Sequence, residues 1–156
     1  RGYANSLRDG GSRMTGELPR FLEINEALEA AVGPVEIVFG HNDLLAGNFI
    51  DDGERLWLVD WDYAGFNSPL FDLANLASNN QFDAAAEDRL LESYFETTAD
   101  DAMRRRLAAM KCASLLRETM WSMVSEIHLD IDFDYVAYTT ENLARFERAW
   151  ADFKAM

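Results

Sequence analysis

Apolar residues recur at helical spacing along most of this chain and gather into short continuous runs only between residues 35 and 59. Phe21, Ile24, Leu28, Ala31 and Val32 line one face of a helix that Pro19 starts and Gly33-Pro34 stops. Two runs follow, Val35 to Phe39 and Arg55 to Val59, with enough branched and aromatic side chains to be strands. Asn48 to Ile50 and the turn Asp51-Asp52-Gly53 predict a hairpin between them. Everything after Ser68 reads as helix. Ser68 caps and Pro69 starts one that buries Leu70, Leu73, Ala74 and Ala77; Asp83 caps the next, which carries Leu90, Leu91, Tyr94 and Phe95. A long helix from about Asp101 to Ile127 turns Met103, Leu107, Met110, Ser114, Met120 and Val124 inward, and a last one from about Tyr135 carries Tyr138, Leu143, Phe146, Trp150 and Phe153. The first 18 residues hold glycines and polar side chains without an apolar period, so they read as a linker or irregular segment. The pattern predicts a mainly α domain over residues 19–156 with a small β-hairpin element and no internal repeat.

At 156 residues and 49% hydrophobic, the chain is long enough to bury one sizeable core. Fourteen basic residues against 28 acidic ones leave a net charge of −14, which excludes nucleic acid as a partner and favours a cationic ligand. No run reaches the roughly 18 uncharged apolar residues of a membrane span, and no basic start precedes an apolar stretch, so a cytoplasmic protein is expected. The single cysteine, Cys112, lies within a helical pattern and reads as a buried structural thiol. Because the chain begins with Arg1 rather than methionine, it is expected to be a fragment.

The candidate chemistry lies in the polar loops beside the strands. In His41-Asn42-Asp43-Leu44-Leu45-Ala46-Gly47-Asn48, the spacing from Asp43 to Asn48 returns a carboxylate and a carboxamide to one side of a loop. Asp60, with Asp62 behind it, ends the run Leu56-Trp57-Leu58-Val59. Phosphoryl transfer asks little covalent help of a protein; it needs an oriented nucleophile and neutralised charge on the transferring group. Asp43 suits the task of orienting a hydroxyl and accepting its proton, and Asn48 and Asp60 offer hard oxygens to magnesium. The order H-x-D-x-x-x-x-N followed by a strand-end D-x-D is the order of parts in kinases, with the last residue of D-F-G replaced.

The segments FGHNDLLAGNF and LVDWDYAGFNSPLFDLAN resemble the catalytic and metal-binding loops of the choline/ethanolamine kinases, within the aminoglycoside-phosphotransferase-like group of small-molecule kinases. The similarity runs over residues 19 to 153 and is densest over 38 to 80. It implies the helical C-terminal lobe of a protein-kinase-like α+β fold, acting with ATP and Mg2+ on the hydroxyl of choline, ethanolamine or a related amino alcohol or aminoglycoside. It also implies Asp43 as catalytic base, Asn48 and Asp60 as magnesium ligands, Asp72 as a support of the catalytic loop, and a structural role for His41. The stretch ETMWSMVSEIHLDIDFDYVAY resembles the segment with which choline kinases surround a quaternary ammonium, nominating Trp121, Phe133 and Tyr138, with Tyr63 from the metal loop. Aromatic faces hold such a cation at roughly 0.5 to 2 kcal/mol each. Two positions depart from the fuller cage: Glu118 stands where a second tryptophan is matched, and Asn79 where an acidic residue is matched.

Kinases also need a Gly-rich loop, a strand lysine and a paired glutamate to hold the nucleotide. The two lysines here, Lys111 and Lys154, both lie in helical patterns, so the nucleotide lobe is expected to be a missing partner and the chain alone to be nearly inactive. Trp57, Trp150, Phe146 and Phe153 are assigned to the core. Asp130-Ile131-Asp132-Phe133-Asp134 imitates a calcium loop but has Tyr135 where the sharp turn needs glycine; a cap on the last helix explains it better. Two other classes fit parts of the pattern. A phosphatase with a strand-end D-x-D nucleophile leaves the Asp43 to Asn48 spacing unexplained, and a kinase-derived module that binds a cation without turnover is separated from an enzyme by binding and turnover assays.

Overall fold

The segment read above as a linker begins with a helix. A computed structural model of the chain describes residues 2–156, and its first element, α1 (Gly2–Asp9), buries Ala4 and Leu7 at 1% and 0% exposure. Two apolar residues three apart are too few to register as a period, and packing rather than propensity orders so short a helix. Gly11 at φ +66° turns the chain out of it, while the Ser12 N–H returns to the Leu7 carbonyl at 3.0 Å.

The chain divides into two compact units: residues up to Ala31 with Cys112–Met156, and Val32–Lys111. The first holds α1, most of α2 (Leu18–Val32), the later part of α5 (Asp101–His128) and α6 (Tyr135–Ala155). Phe21 of α2 meets Phe146 of α6 edge to face at 5.9 Å, and both are fully buried with Leu18, Leu28 and Met123. Cys112 is a buried thiol, 1% exposed. Arg20 makes a two-pronged bond to Glu147, at 2.6 Å on each side, and Arg13 makes one to Glu126 at 2.9 and 3.0 Å. Asp134 caps α6 by accepting from the Ala137 N–H. Trp150 stacks on the buried Phe153 and stays half-buried itself.

The second unit carries β1 (Val38–Gly40), β2 (Phe49–Asp51), β3 (Leu56–Leu58), β4 (Gly65–Asn67), α3 (Pro69–Asn79), α4 (Ala84–Phe95) and the start of α5. The expected hairpin pairs β2 with β3, Ile50 opposite Trp57. A second antiparallel pair joins β1 to β4, Phe39 opposite Phe66; β4 is only three residues long and gave no sign in the sequence. Ser68 accepts from the Leu70 N–H and Pro69 opens α3, which buries Leu70, Leu73, Ala74 and Ala77. Asp83 caps α4, but of its four expected inward residues only Leu91 is buried; Tyr94 and Phe95 are exposed and lean on each other. Trp57 is likewise not core. It is 46% exposed, with its Nε1–H on Asp52 Oδ2 at 2.6 Å and Arg55 over its ring, because an isolated two-stranded hairpin leaves one face to solvent.

Candidate active site

The loop from His41 to Asn48 is held by hydrogen bonds to its backbone. The His41 and Asn42 N–H groups donate to the two oxygens of Asp72, each at 2.7 Å, from the first turn of α3. A Cβ on Gly40 would lie 2.7 Å from Asp72 Oδ2, so this approach requires glycine. One turn further along α3, Asn75 accepts the Leu44 N–H on its Oδ1. Together these bonds anchor both ends of the Asn42-Asp43-Leu44 stretch to one rigid helix.

Asn42 is a side chain that sequence reasoning passed over. Its backbone sits at φ +65°, a region that asparagine enters more readily than most residues. Its Nδ2 donates to the Tyr63 and Gly65 carbonyls at 3.1 and 3.3 Å, and its Oδ1 accepts from Asn67 Nδ2 at 2.9 Å. The only signal available was a turn-prone residue between two candidate site residues. Asn42 thus ties the loop to the segment following Asp60.

His41, 2% exposed, completes the link. Its Nε2 donates to the Val59 carbonyl at 2.9 Å and its Nδ1 accepts the Asp43 N–H at 3.3 Å, which specifies the tautomer with its proton on Nε2. One imidazole therefore stands between the backbone of Asp43 and the peptide that leads into Asp60. Asn48 Nδ2 donates to the Asp43 carbonyl at 2.9 Å, and the Asn48 carbonyl accepts the Val59 N–H at 3.0 Å. Asp43, Asn48 and Asp60 are gathered by a shared set of backbone bonds.

With Asn48 Nδ2 committed to a carbonyl, its Oδ1 is the atom left for a ligand. Asp60 is exposed and holds φ +62°. The donor set is one amide oxygen and one carboxylate. Among the described residues no group of three or more His, Cys, Asp or Glu is placed to hold a metal by itself. Such a sparse set of hard oxygens fits magnesium, which takes one or two protein ligands and fills its sphere with water and phosphate oxygens. Asp62 and Tyr63 lie on an exposed turn closed by the Ala64 N–H on the Trp61 carbonyl at 3.0 Å. Trp61 packs edge-on against His41 at 4.8 Å and stacks on Phe39 at 6.4 Å. Phe39, 60% exposed, and Phe66, 79% exposed, continue an open aromatic surface that the sequence reading did not single out.

In the other unit, Trp121 of α5 and Phe133 and Tyr138 near the start of α6 form one cluster through Tyr135, which was not nominated. Tyr135 lies 6.2 Å from Trp121 and 4.8 Å from Phe133, and Tyr138 lies 6.5 and 5.6 Å from the same two rings. The cluster is open on one side, Phe133 being 53% exposed. Glu118, one turn before Trp121, accepts the Tyr138 hydroxyl on Oε1 at 2.8 Å. Burial first, and then this carboxylate, push the Tyr138 phenol up to about 12.

A model of the phosphotransferase enzyme family matches residues 3–109, more than half of the chain and the whole of the loop network. The chain belongs to that family. It is 32% identical over 101 residues to protein LicA of Haemophilus influenzae, covering 61% of this chain and 38% of that one. It is 30% identical over 150 residues to an ethanolamine kinase of Drosophila melanogaster, covering 80% of this chain and 29% of that one. The crystal structure of a choline/ethanolamine kinase family protein from Mesorhizobium loti superposes with a TM-score of 0.75 at 31% identity, over 88% of this chain and 47% of that one. The chain thus spans less than half the length of each of these relatives. The fold is that of the choline-kinase-like, protein-kinase-like proteins.

Proposed function

We propose that this chain is the helical lobe of a small-molecule kinase that transfers a phosphoryl group from ATP to the hydroxyl of a small amino alcohol. The observation that carries the reading is the His41 bridge, which holds the backbone of Asp43 and the peptide entering Asp60 on opposite nitrogens of one ring. Membership of the phosphotransferase family and likeness to a protein named ethanolamine kinase support it.

In this reading Asp43 accepts a hydrogen bond from the substrate hydroxyl, orients the hydroxyl's lone pair toward the γ-phosphorus of ATP and takes the proton as the new P–O bond forms and the bond to the bridging oxygen of the departing ADP breaks. Asn48 Oδ1 and the Asp60 carboxylate would hold magnesium, which would supply neutralisation of charge on the phosphate oxygens. Asp72 and Asn75 keep the loop from relaxing, so the base is in place before substrate arrives. Within its own unit, the aromatic cluster of Trp121, Phe133, Tyr135 and Tyr138 offers ring faces to a cationic ammonium group. Tyr63 and Asp62 border the metal side from their exposed turn. A nucleotide lobe, whose lysine and Gly-rich loop are not among these 156 residues, holds the triphosphate.

The test is Asp43→Ala in a protein that carries both lobes. Turnover should fall about 10²- to 10⁴-fold while amino-alcohol affinity stays within about threefold. Unchanged turnover would remove Asp43 from the chemistry and the proposal with it.

A further inference from the structure

The aromatic cluster has a feature that a purely π-lined cation site lacks: a carboxylate bonded to the hydroxyl of one of its rings. Glu118 stands one helical turn before Trp121 on α5, and its Oε1 is oriented by the Tyr138 hydroxyl at 2.8 Å. Arg145, a cation that bears on that phenol, donates to Asn142 Oδ1 at 3.3 Å on its own helix. The bond to Tyr138 fixes the direction of the carboxylate and engages one of its two oxygens.

The two kinds of ammonium place opposite demands on such a site. A trimethylated nitrogen has no N–H, is weakly hydrated and gains chiefly from aromatic faces. Beside it, a carboxylate loses water without receiving a hydrogen bond in return. A primary ammonium is strongly hydrated and carries three donors, so it enters an apolar cluster readily only where an anionic acceptor replaces the lost water. A carboxylate oriented by Tyr138, one turn before Trp121 on the same helix, meets that second demand.

Resting on the amino-alcohol reading above, we infer that Glu118, oriented by Tyr138, makes this site select an alcohol bearing a primary ammonium over its trimethylated counterpart. Each methyl group added to the nitrogen removes a donor and enlarges the head that must fit beside the carboxylate. Affinity therefore declines stepwise with methylation instead of rising with the area of aromatic contact.

The test is calorimetric titration of the 156-residue chain with ethanolamine, N-methylethanolamine, N,N-dimethylethanolamine and choline, followed by the same series on Glu118→Gln. The expected result is a monotonic decline, with ethanolamine at least about tenfold tighter than choline. In Glu118→Gln most of that ratio disappears because ethanolamine weakens while choline stays within about threefold. A wild-type series that is flat, or that rises toward choline, overturns the preference whatever the variant does, so a misfolded Glu118→Gln does not leave the question open. Equal weakening of all four compounds in the variant also overturns it. If none of the four binds the wild-type chain, the amino-alcohol reading fails and the preference falls with it. Binding led by choline leaves that reading standing and removes only the role of Glu118.

Discussion

The loop around Asp43 and the cluster around Trp121 are built by different means. In the loop, five side chains bond directly to backbone: Asp72 takes two N–H groups, Asn75 takes one, His41 takes one and reaches a carbonyl, Asn48 reaches one carbonyl, and Asn42 reaches three. In the cluster, four rings meet edge to face with centroids 4.8 to 6.5 Å apart, and one hydroxyl meets one carboxylate. Backbone hydrogen bonds are short and directional, so they fix atoms to tenths of an ångström; ring edges accept a range of tilts. The proposed roles match the contrast: a base that takes a proton needs the first kind of placement, whereas a site for a cation tolerates the second.

If that contrast is right, damage to the loop should be costly and local. Asp72→Ala strips acceptors from two backbone N–H groups at once, one of them on the buried His41. It should cost about 2 to 4 kcal/mol in urea unfolding of this chain. A loss under about 1 kcal/mol would mean the loop holds its shape without Asp72, and the contrast would collapse. Gly40→Ala should cost less, about 1 to 3 kcal/mol, because the new methyl meets Asp72 Oδ2 at 2.7 Å and the carboxylate must shift. Gly47→Ala, with nothing within 4 Å of the added carbon, is the matched control and should change stability by no more than about 0.5 kcal/mol. Similar losses at the two glycines would trace the effect to backbone freedom and not to Asp72.

The smallest effect belongs to the cluster. The folded pKa of Tyr138, about 12, lies above its ordinary 10.0, because burial and then Glu118 oppose the phenolate. The stability this group contributes is whole below about pH 10 and drains away as pH rises toward 12. Phenolate absorbance should therefore report one of the five tyrosines ionising near pH 12, a step that Tyr138→Phe deletes. Complete ionisation of all five by pH 11 would make the cluster looser than its ring contacts indicate.

The sequence was most legible where one residue type has one physical use. Ser68-Pro69 and Asp83 announced the starts of α3 and α4, and Asp51-Asp52-Gly53 announced the hairpin turn. The Asp43 to Asn48 spacing and the strand-end Asp60 were visible as residue types, but their bonding partners were not. Nothing in the chain's order marks Asn42 as reaching Gly65, because a turn asparagine looks the same whether its amide meets water or a distant carbonyl. Helix α1 was missed because its burial depends on packing against residues far along the chain, Gly10 lying 3.0 Å from Ile127 once a Cβ is added. Trp57, Tyr94 and Phe95 were placed inside because aromatic side chains usually are, yet each lies at an element's open face.

Asp60 sits in left-handed backbone at φ +62°. That geometry gives the position a short replacement alphabet for anyone testing its proposed role as a metal ligand. Asparagine preserves the twist and one oxygen while shedding a charge; glycine preserves the twist alone. Threonine or valine would set a branched carbon against the carbonyl and distort the hairpin's exit before any question of coordination arose.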